Sequence, residues 1–110
     1  MTGHTLRIGV DLGGTKTEVV ALDEAGVEHY RARRPTPRED YEATIEGIAT
    51  LVRDAEAHAE AAASVGVGTP GSVVPETGCM QNCNSTWLNG RPLPADLEQR
   101  LGRPVAIAND

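Results

Sequence analysis

The residues of this sequence that are best suited to chemistry lie between two apolar stretches near the N-terminus. Gly13 and Gly14 have no Cβ, so a ligand could closely approach their backbone N–H groups. Thr15 adds a hydroxyl donor and Lys16 adds a cation. Asp11, at the end of the first apolar stretch, could hold a hydrated Mg²⁺ against the same ligand. This combination is typical of a turn that binds phosphate.

Two better-known phosphate motifs do not fit this sequence. Gly9 and Gly14 are separated as in a P-loop, but Thr15 stands where that motif requires Lys. A dinucleotide fingerprint needs another glycine after Gly9 and a helix after the turn, whereas a strand is expected here. The alternative is an ordinary hairpin, whose two central glycines would supply positive φ angles.

A second group of polar residues follows a short run of small apolar residues, Ser64 to Gly68. We expect this run to be a strand buried on both faces. The loop after it contains Gly71 and Ser72, at the carboxyl end of a strand, where α/β sheets commonly bind ligands.

The segment 75–90 is rich in amides, which can donate and accept hydrogen bonds with sugar hydroxyls. Asn82 and Asn84 fit either this role or that of turn residues, and for Asn89 the turn is favoured. Trp87 fits either a platform for a sugar ring or an anchor in the core.

The elements that must position these residues can be read from periodicity. The predicted strands are two runs within Leu6 to Leu22, then Val27 to Arg34, Ser64 to Gly68 and Pro104 to Ala108. The predicted helices are one of about 20 residues after position 36 and one over Pro92 to Leu101, stopped by Gly102. A strand after a long helix should lie parallel to the first strand through a right-handed crossover. The fold class is therefore α/β, with a three-stranded antiparallel meander and two parallel strands in one mixed sheet.

The start of the first helix has two candidate caps. Thr36, Pro37 and Glu39 have the spacing of a capping box with Pro at the first helical position. Asp40 is the competing cap.

The composition of the chain narrows the functions to consider. The 110 residues carry a net charge of -6 and contain no run of five or more basic residues, which argues against nucleic-acid binding. No leader and no apolar segment of membrane-spanning length is visible, so we expect a cytoplasmic protein without a membrane contact. Cys79 and Cys83 have no nearby His pair, and we expect reduced thiols rather than a zinc site.

Three separated stretches together resemble one family, the ROK sugar kinases. They are the glycine turn with its following Thr17-Glu18, the loop 68–72, and the run Asn82 to Gly90 together with Asn109-Asp110. Within that family the run Asn82 to Gly90, with Cys83 in the variable position, is most similar to bacterial fructokinases that also accept mannose. The resemblance spans Leu6 to Asp110.

The resemblance implies an actin-like ATPase fold, related to ribonuclease H, with two α/β lobes around a cleft. Residues 1–110 would be the N-terminal lobe, with the C-terminal lobe absent from this chain. A domain rarely ends on a core strand, so we expect further sequence after Asp110. The missing lobe would carry most of the adenosine pocket and the family's zinc site.

The resemblance also implies roles for individual residues. The ATP phosphate loop would comprise Gly9, Asp11, Gly13, Gly14, Thr15 and Lys16, with Mg²⁺ near Asp11. The sugar contacts would be Gly71, Ser72, Asn84 and Asn109. Asp110 would be the catalytic base.

The function expected is ATP-dependent phosphorylation of a hexose, first of all fructose to fructose 6-phosphate, with mannose and glucose possible. The alternatives are an N-acetylhexosamine or glucose kinase of the same family, a sugar-sensing regulator, and a non-catalytic lobe. A regulator would need a DNA-binding segment before the glycine turn, and only five residues precede Leu6. We expect the full-length enzyme to be a homodimer and the isolated 110 residues to be inactive.

Overall fold

A computed structural model describes residues 6–59 and 63–109 of the chain. The two helices are α1 (Tyr41–Ala59) and α2 (Leu93–Leu101). The strands are β1 (Leu6–Leu12), β2 (Lys16–Leu22), β3 (Glu28–Pro35), β4 (Ala63–Thr69), β5 (Ser72–Val73), β6 (Met80–Gln81) and β7 (Val105–Asn109). A single 3₁₀ turn covers Thr86–Leu88.

The main sheet has five strands in the order β3-β2-β1-β4-β7. The strands β1, β2 and β3 pair antiparallel, and β4 is parallel to both β1 and β7. The predicted mixed sheet is therefore confirmed. A separate antiparallel pair, β5 with β6, was not predicted, because two residues per strand carry no readable alternation.

One face of the sheet forms the core. Alternate residues of β1 and β4 are buried on this face, including Ile8, Val10, Leu12, Val65 and Val67. Both helices contribute to the same core, through Ile45, Ile48, Val52, Leu93 and Leu97. Since all of these side chains are aliphatic, the fold depends on hydrophobic burial with few aromatic contacts.

The opposite face of the sheet is open and built from small residues. It includes Gly9, Gly66, Gly68, Ala106 and Ala108, which line a shallow depression of about 450 Å³. The prediction that β4 is buried on both faces is wrong for the described residues, because only Val65, Val67 and Thr69 are buried in it.

The predicted capping box at the start of α1 is not formed. The helix begins at Tyr41, and the Ala43 N–H donates to Asp40 Oδ1 at 3.0 Å, so Asp40 is the cap. Thr36 is five positions earlier and bonds elsewhere, and Glu39 has a φ of 54°. The helix therefore starts four residues later than the Thr36-Pro37 pattern predicted.

The second helix ends as predicted. Gly102 has a φ of 70°, and its N–H donates to Glu98 O at 2.8 Å. A left-handed residue closing the last turn is the usual role of glycine at this position. Neither described helix has the length and apolar character needed to cross a membrane.

Candidate functional site

The carboxyl ends of three neighbouring strands meet at one edge of the sheet. Asp11 of β1 lies opposite Gly68 of β4, and Thr69 of β4 lies opposite Asn109 of β7. Asp11 and Asn109 therefore flank β4 at the same edge, although about a hundred positions separate them in the sequence. The predicted base, Asp110, lies outside the described residues.

The turn between β1 and β2 begins at this edge. It is closed by one backbone hydrogen bond, from Gly13 N–H to Lys16 O at 3.0 Å. A Cβ on Gly13 would lie 2.7 Å from that same carbonyl oxygen, so the tight closure requires glycine. Neither Gly13 nor Gly14 has a positive φ, so the alternative of an ordinary hairpin whose central glycines supply positive φ angles does not describe this turn.

Gly14 differs from Gly13 in its surroundings. The nearest atom to a Cβ built on Gly14 is Ser85 Oγ, at an ordinary contact distance of 3.8 Å. The N–H groups of Gly14 and Thr15 donate to no described residue. Packing within the described chain therefore does not demand glycine at position 14, and the exposed N–H groups are open to a ligand.

The turn is held from outside by Thr36. Its N–H donates to Thr15 O at 2.8 Å, and its hydroxyl donates to Gly13 O at 2.9 Å. The same hydroxyl also bonds to the Thr17 hydroxyl at 2.7 Å, and both side chains are buried. These three bonds fix the turn without using its own N–H groups; we call this set the Thr36 clamp.

A small cavity joins the turn to the amide-rich segment. Its volume is about 180 Å³, and its lining residues are Gly14, Thr15, Arg38, Asn84, Ser85 and Trp87. The structure thus brings together two predicted phosphate-loop residues and one predicted sugar contact.

Three other predicted phosphate-loop residues line depressions other than this cavity. Lys16 lines a separate depression with Arg33, Arg34 and Pro35 at the edge of the sheet. Gly9 and Asp11 both belong to β1 and line the depression on the open face of the sheet.

The loop after β4 is a packed structure. Gly71 is buried, and a Cβ there would lie 2.3 Å from Gln81 O and 2.6 Å from Cys83 Sγ. Its carbonyl accepts the Thr69 hydroxyl at 2.8 Å. The Ser72 hydroxyl accepts a hydrogen bond from Gln81 Nε2 at 3.3 Å. Gly71 is thus needed for packing, whatever its N–H binds.

The amide side chains separate into structural and exposed ones. Asn89 Oδ1 accepts from Cys83 N–H at 2.9 Å, and Asn89 Nδ2 donates to Cys83 O at 3.3 Å, so this amide closes the segment on itself. Asn82 has a φ of 58°, which suits a turn residue. Asn84 is exposed and lines the cavity. Of the three, Asn84 is the one placed to contact a ligand.

Trp87 has both of the roles considered for it. It packs against the core, and its Nε1–H donates to Thr44 Oγ1 at 3.2 Å. The half-buried ring also forms part of the cavity wall. Cys79 and Cys83 are free thiols, and burial raises the pKa of the Cys83 thiol.

The charge around the turn is positive, in contrast to the chain as a whole. Lys16, Arg33, Arg34 and Arg38 make no ion pair with any described residue, whereas Arg31 pairs with Glu18 and Glu28. In a chain with a net charge of -6, these unpaired cations favour an anionic ligand at this end of the sheet.

Nothing among the described residues gathers three or more side chains of the metal-binding types. The expectation of Mg²⁺ near Asp11 stays a prediction. One or two carboxylates suffice for Mg²⁺ that is held largely by phosphate oxygens and water.

Three residues of this region were not predicted from the sequence as part of the site. The pattern of Thr36, Pro37 and Arg38 indicated a helix start, which hid both the Thr36 clamp and the arginine that lines the cavity. Ser85 gave no signal, because its position depends on how the amide-rich segment folds against Gly14.

The family and its relatives are clear at the sequence level. The ROK family profile matches residues 7–110. The chain is 39% identical over 102 residues to an N-acetyl-D-glucosamine kinase of Citrobacter koseri, covering 93% of this chain and 34% of the relative. It spans about a third of the length of the curated relatives it matches.

Solved structures agree with the match to the family profile and to these relatives. A ROK hexokinase from Thermus thermophilus superposes with a TM-score of 0.81 at 30% identity, over 96% of this chain and 35% of that one. A ROK family glucokinase from Streptomyces griseus, in complex with glucose and AMPPNP, also gives a TM-score of 0.81 at 30% identity, over 94% and 33%. The actin-like fold predicted from the sequence is confirmed by these neighbours. From its profile match, its identity to these relatives and its fold, the chain belongs to the ROK family.

Proposed function

We propose that residues 1–110 form the N-terminal lobe of a two-lobe, ATP-dependent sugar kinase that phosphorylates a hexose or an N-acetylhexosamine. The observation that carries this proposal is the cavity shared by Gly14, Thr15 and Asn84, in which a phosphate-binding turn adjoins an amide able to read a hydroxyl. In phosphoryl transfer the protein mainly aligns the attacking and leaving oxygens and stabilises charge on the phosphoryl group. A cavity that places a phosphate-binding turn beside a hydroxyl-binding amide can do both.

The residues divide by the atoms they offer. The free N–H groups of Gly14 and Thr15 would bind phosphate oxygens, and Asp11 would hold Mg²⁺, which supplies further neutralisation of the phosphates. Asn84, Asn109 and the loop of Gly71 and Ser72 would contact the sugar. Asp110 would accept the proton of the attacking hydroxyl.

The sugar best supported is N-acetyl-D-glucosamine. Curated relatives from Citrobacter koseri and Pasteurella multocida, at 39% and 38% identity, carry that specificity in their names. Glucose is supported in the same way by the Streptomyces griseus structure.

Fructose is the second candidate. It rests on the run Asn82 to Gly90, which resembles the fructokinases of the family. Asn84 and Trp87 of this run line the cavity, so the resemblance lies where a sugar would be read.

The test is a coupled assay of the two-lobe kinase that contains this lobe, with ATP and a panel of N-acetylglucosamine, glucose, mannose and fructose. We expect the highest kcat/KM with N-acetylglucosamine. A kcat/KM for fructose at least tenfold above it would make fructose the substrate. The absence of turnover with every sugar would reject the kinase assignment.

The base is tested in the same protein by Asp110→Asn. General-base catalysis typically contributes about 10²–10⁴-fold, so we expect kcat to fall within that range while the sugar still binds. A rate within tenfold of the unaltered kinase would remove Asp110 from this role. The isolated 110 residues should give no turnover, since half of the nucleotide site would be missing. A homodimer in the cytoplasm remains our expectation for the complete enzyme.

A further inference from the structure

The cavity beside Gly14 contains a cation that the phosphate-loop pattern does not include. Arg38 is exposed and lines the cavity together with Gly14, Thr15 and Asn84. Lys16, the cation that the sequence pattern indicated, lines a different depression with Arg33, Arg34 and Pro35. The basic group that shares a cavity with the free N–H groups is therefore an arginine from the connection between β3 and α1.

The backbone that carries Arg38 is fixed at both ends. Two residues before it, Thr36 is bonded to the turn through Gly13 O and Thr15 O. Two residues after it, Asp40 caps α1 through the Ala43 N–H. Arg38 is thus held at a short and defined distance from the turn.

The residue between Arg38 and the cap is in an unusual conformation. Glu39 has a φ of 54°, the left-handed region that non-glycine residues rarely occupy. Such backbone angles cost free energy and occur preferentially at functional sites. Here the angle turns the chain sharply between Arg38 and the first turn of α1.

The Arg38 side chain is uncommitted. It makes no hydrogen bond or ion pair with a described residue, whereas Arg103 bonds to Glu56 and to Ala63 O, and Arg31 to two glutamates. A guanidinium is a planar fork of donors that matches two oxygens of a phosphate. A guanidinium without a described partner, in the same cavity as the N–H groups of Gly14 and Thr15, is suited to bind an oxyanion.

A second group in the cavity also lacks a partner. The Ser85 side chain is 3% exposed, and its Oγ has no hydrogen-bond partner in the described structure. A buried hydroxyl normally has one. Its oxygen would lie 3.8 Å from a Cβ at Gly14, so it faces the turn. The cavity of about 180 Å³ is larger than a single water needs.

We propose that Arg38 binds the oxygens of the phosphoryl group being transferred, together with the N–H groups of Gly14 and Thr15 and with the Ser85 hydroxyl as a further donor. The inference rests on the proposed function and adds a specific cation to it. In the reaction, the sugar oxygen bonds to the terminal phosphorus of ATP, and the bond from that phosphorus to its bridging oxygen breaks. ADP leaves with the electron pair, and the hydroxyl proton passes to Asp110. Arg38 would bind the non-bridging oxygens throughout, where a loose transition state spreads its charge.

The experiment is a titration of the full 110-residue chain with sodium tripolyphosphate, followed by the backbone amide NMR signals. Arg38→Gln is the test variant, and Arg34→Gln is its matched control. Arg34 is exposed, lies in the same basic region and also lacks an ion pair with a described residue, so both variants remove one charge. Arg38→Lys keeps the charge and removes the fork.

We expect the amides of Gly13 to Lys16 to shift in the unaltered chain. Arg38→Gln should raise the dissociation constant about tenfold, as expected for loss of a hydrogen bond between charged groups, with Arg38→Lys between the two. Arg34→Gln should have a much smaller effect than Arg38→Gln, of about twofold, since Arg34 does not line the cavity and an exposed charge acts there only through a field that salt screens. Because the Arg38 side chain has no bond to lose, the signals of the remaining amides should show an intact fold.

The outcomes distinguish a failure of the Arg38 proposal from a failure of the phosphate-loop proposal. Equal weakening by the two Gln variants would mean that only net charge matters, and it would overturn the role of Arg38. Unchanged affinity in Arg38→Gln, with the turn amides still shifting, would overturn it and leave the phosphate loop in place. No shift of those amides in the unaltered chain would reject both the loop and the arginine.

Discussion

The two turns of the antiparallel meander are built in opposite ways. The turn between β2 and β3 satisfies itself: Asp23 is buried and accepts hydrogen bonds from the N–H groups of Ala25 and Val27, at 2.9 and 3.0 Å. Its second oxygen bonds to His29 Nε2 at 2.8 Å. These bonds hold the pKa of Asp23 at about 2, the His29 contact being the largest cause.

The turn between β1 and β2 has no such side chain. It is closed by one bond of its own, between Gly13 and Lys16, and is otherwise held by Thr36 from a different part of the chain. Its remaining N–H groups, at Gly14 and Thr15, consequently donate to no residue that the structure describes. The comparison indicates that a turn keeps donors for a ligand when its shape is fixed from outside.

The largest effect on both stability and binding is expected from Thr36→Val. Valine keeps the shape of threonine but removes the hydroxyl, so the buried Thr17 hydroxyl and Gly13 O both lose a partner. Leaving a buried polar group unpaired costs about 1–3 kcal/mol, so with two groups affected we expect a loss of about 2–6 kcal/mol of unfolding free energy. The loosened turn should also bind tripolyphosphate more weakly.

Urea denaturation and the phosphate titration measure these two effects. Thr50→Val is the control, because Thr50 makes no hydrogen bond through its side chain to a described residue and lies on α1, away from the turn. If Thr36→Val had the stability of the unaltered chain, the Thr36 clamp would not be what holds the turn.

A smaller loss of stability, and no loss of phosphate binding, is expected from Asp23→Asn. Asparagine keeps one acceptor oxygen for the Ala25 and Val27 N–H groups but loses the charge that faces His29. Because the folded-state pKa of Asp23 is lowered from 3.8 to about 2, its contribution is present above pH 4 and is lost as the pH falls from about 4 to about 2.

Unfolding free energies measured at pH 7, 4 and 2.5 would check this prediction. The unaltered chain should lose stability more steeply below pH 4 than Asp23→Asn does, while Asp54→Asn, an exposed charge control, should follow the unaltered chain. Identical pH profiles for Asp23→Asn and the unaltered chain would contradict it, and weaker phosphate binding would show that the two turns are not independent.

The sheet and its connections were predictable from the sequence because each depends on local pattern. Alternating Val, Ile and Leu residues indicated the strands, Leu93, Leu97 and Leu101 indicated α2, and Gly102 marked its end. The open face was missed, because the glycines and alanines of β4 and β7 look the same in a sequence whether they are covered or exposed. Whether these residues are covered depends on which face of the sheet the two helices pack against.

The candidate site could be proposed from the sequence only where its residues belong to one turn. Gly13, Gly14 and Thr15 could be named as candidates, since the chemistry they offer is local. Thr36 and Arg38 could not, because a Thr-Pro-Arg sequence before an amphipathic helix looks like a cap, and only the folded meander brings it against the turn. The different surroundings of Gly13 and Gly14 are likewise invisible without coordinates.

The smallest effect on stability is expected from Gly14→Ala, and it is the sharpest test of the comparison. The nearest atom to the new Cβ would be 3.8 Å away, and φ is not positive, so the unfolding free energy should change by less than about 1 kcal/mol. Gly13→Ala is the matched control, because its Cβ would lie 2.7 Å from Lys16 O and should destabilise the fold by about 1–3 kcal/mol.

If the free N–H groups bind phosphate, the methyl of Gly14→Ala obstructs the approach, and the affinity for tripolyphosphate should fall several-fold at nearly constant stability. A variant that bound tripolyphosphate as the unaltered chain does would mean that no ligand comes close to Gly14. The β1–β2 turn would then be a structural turn of the same kind as the one at Asp23.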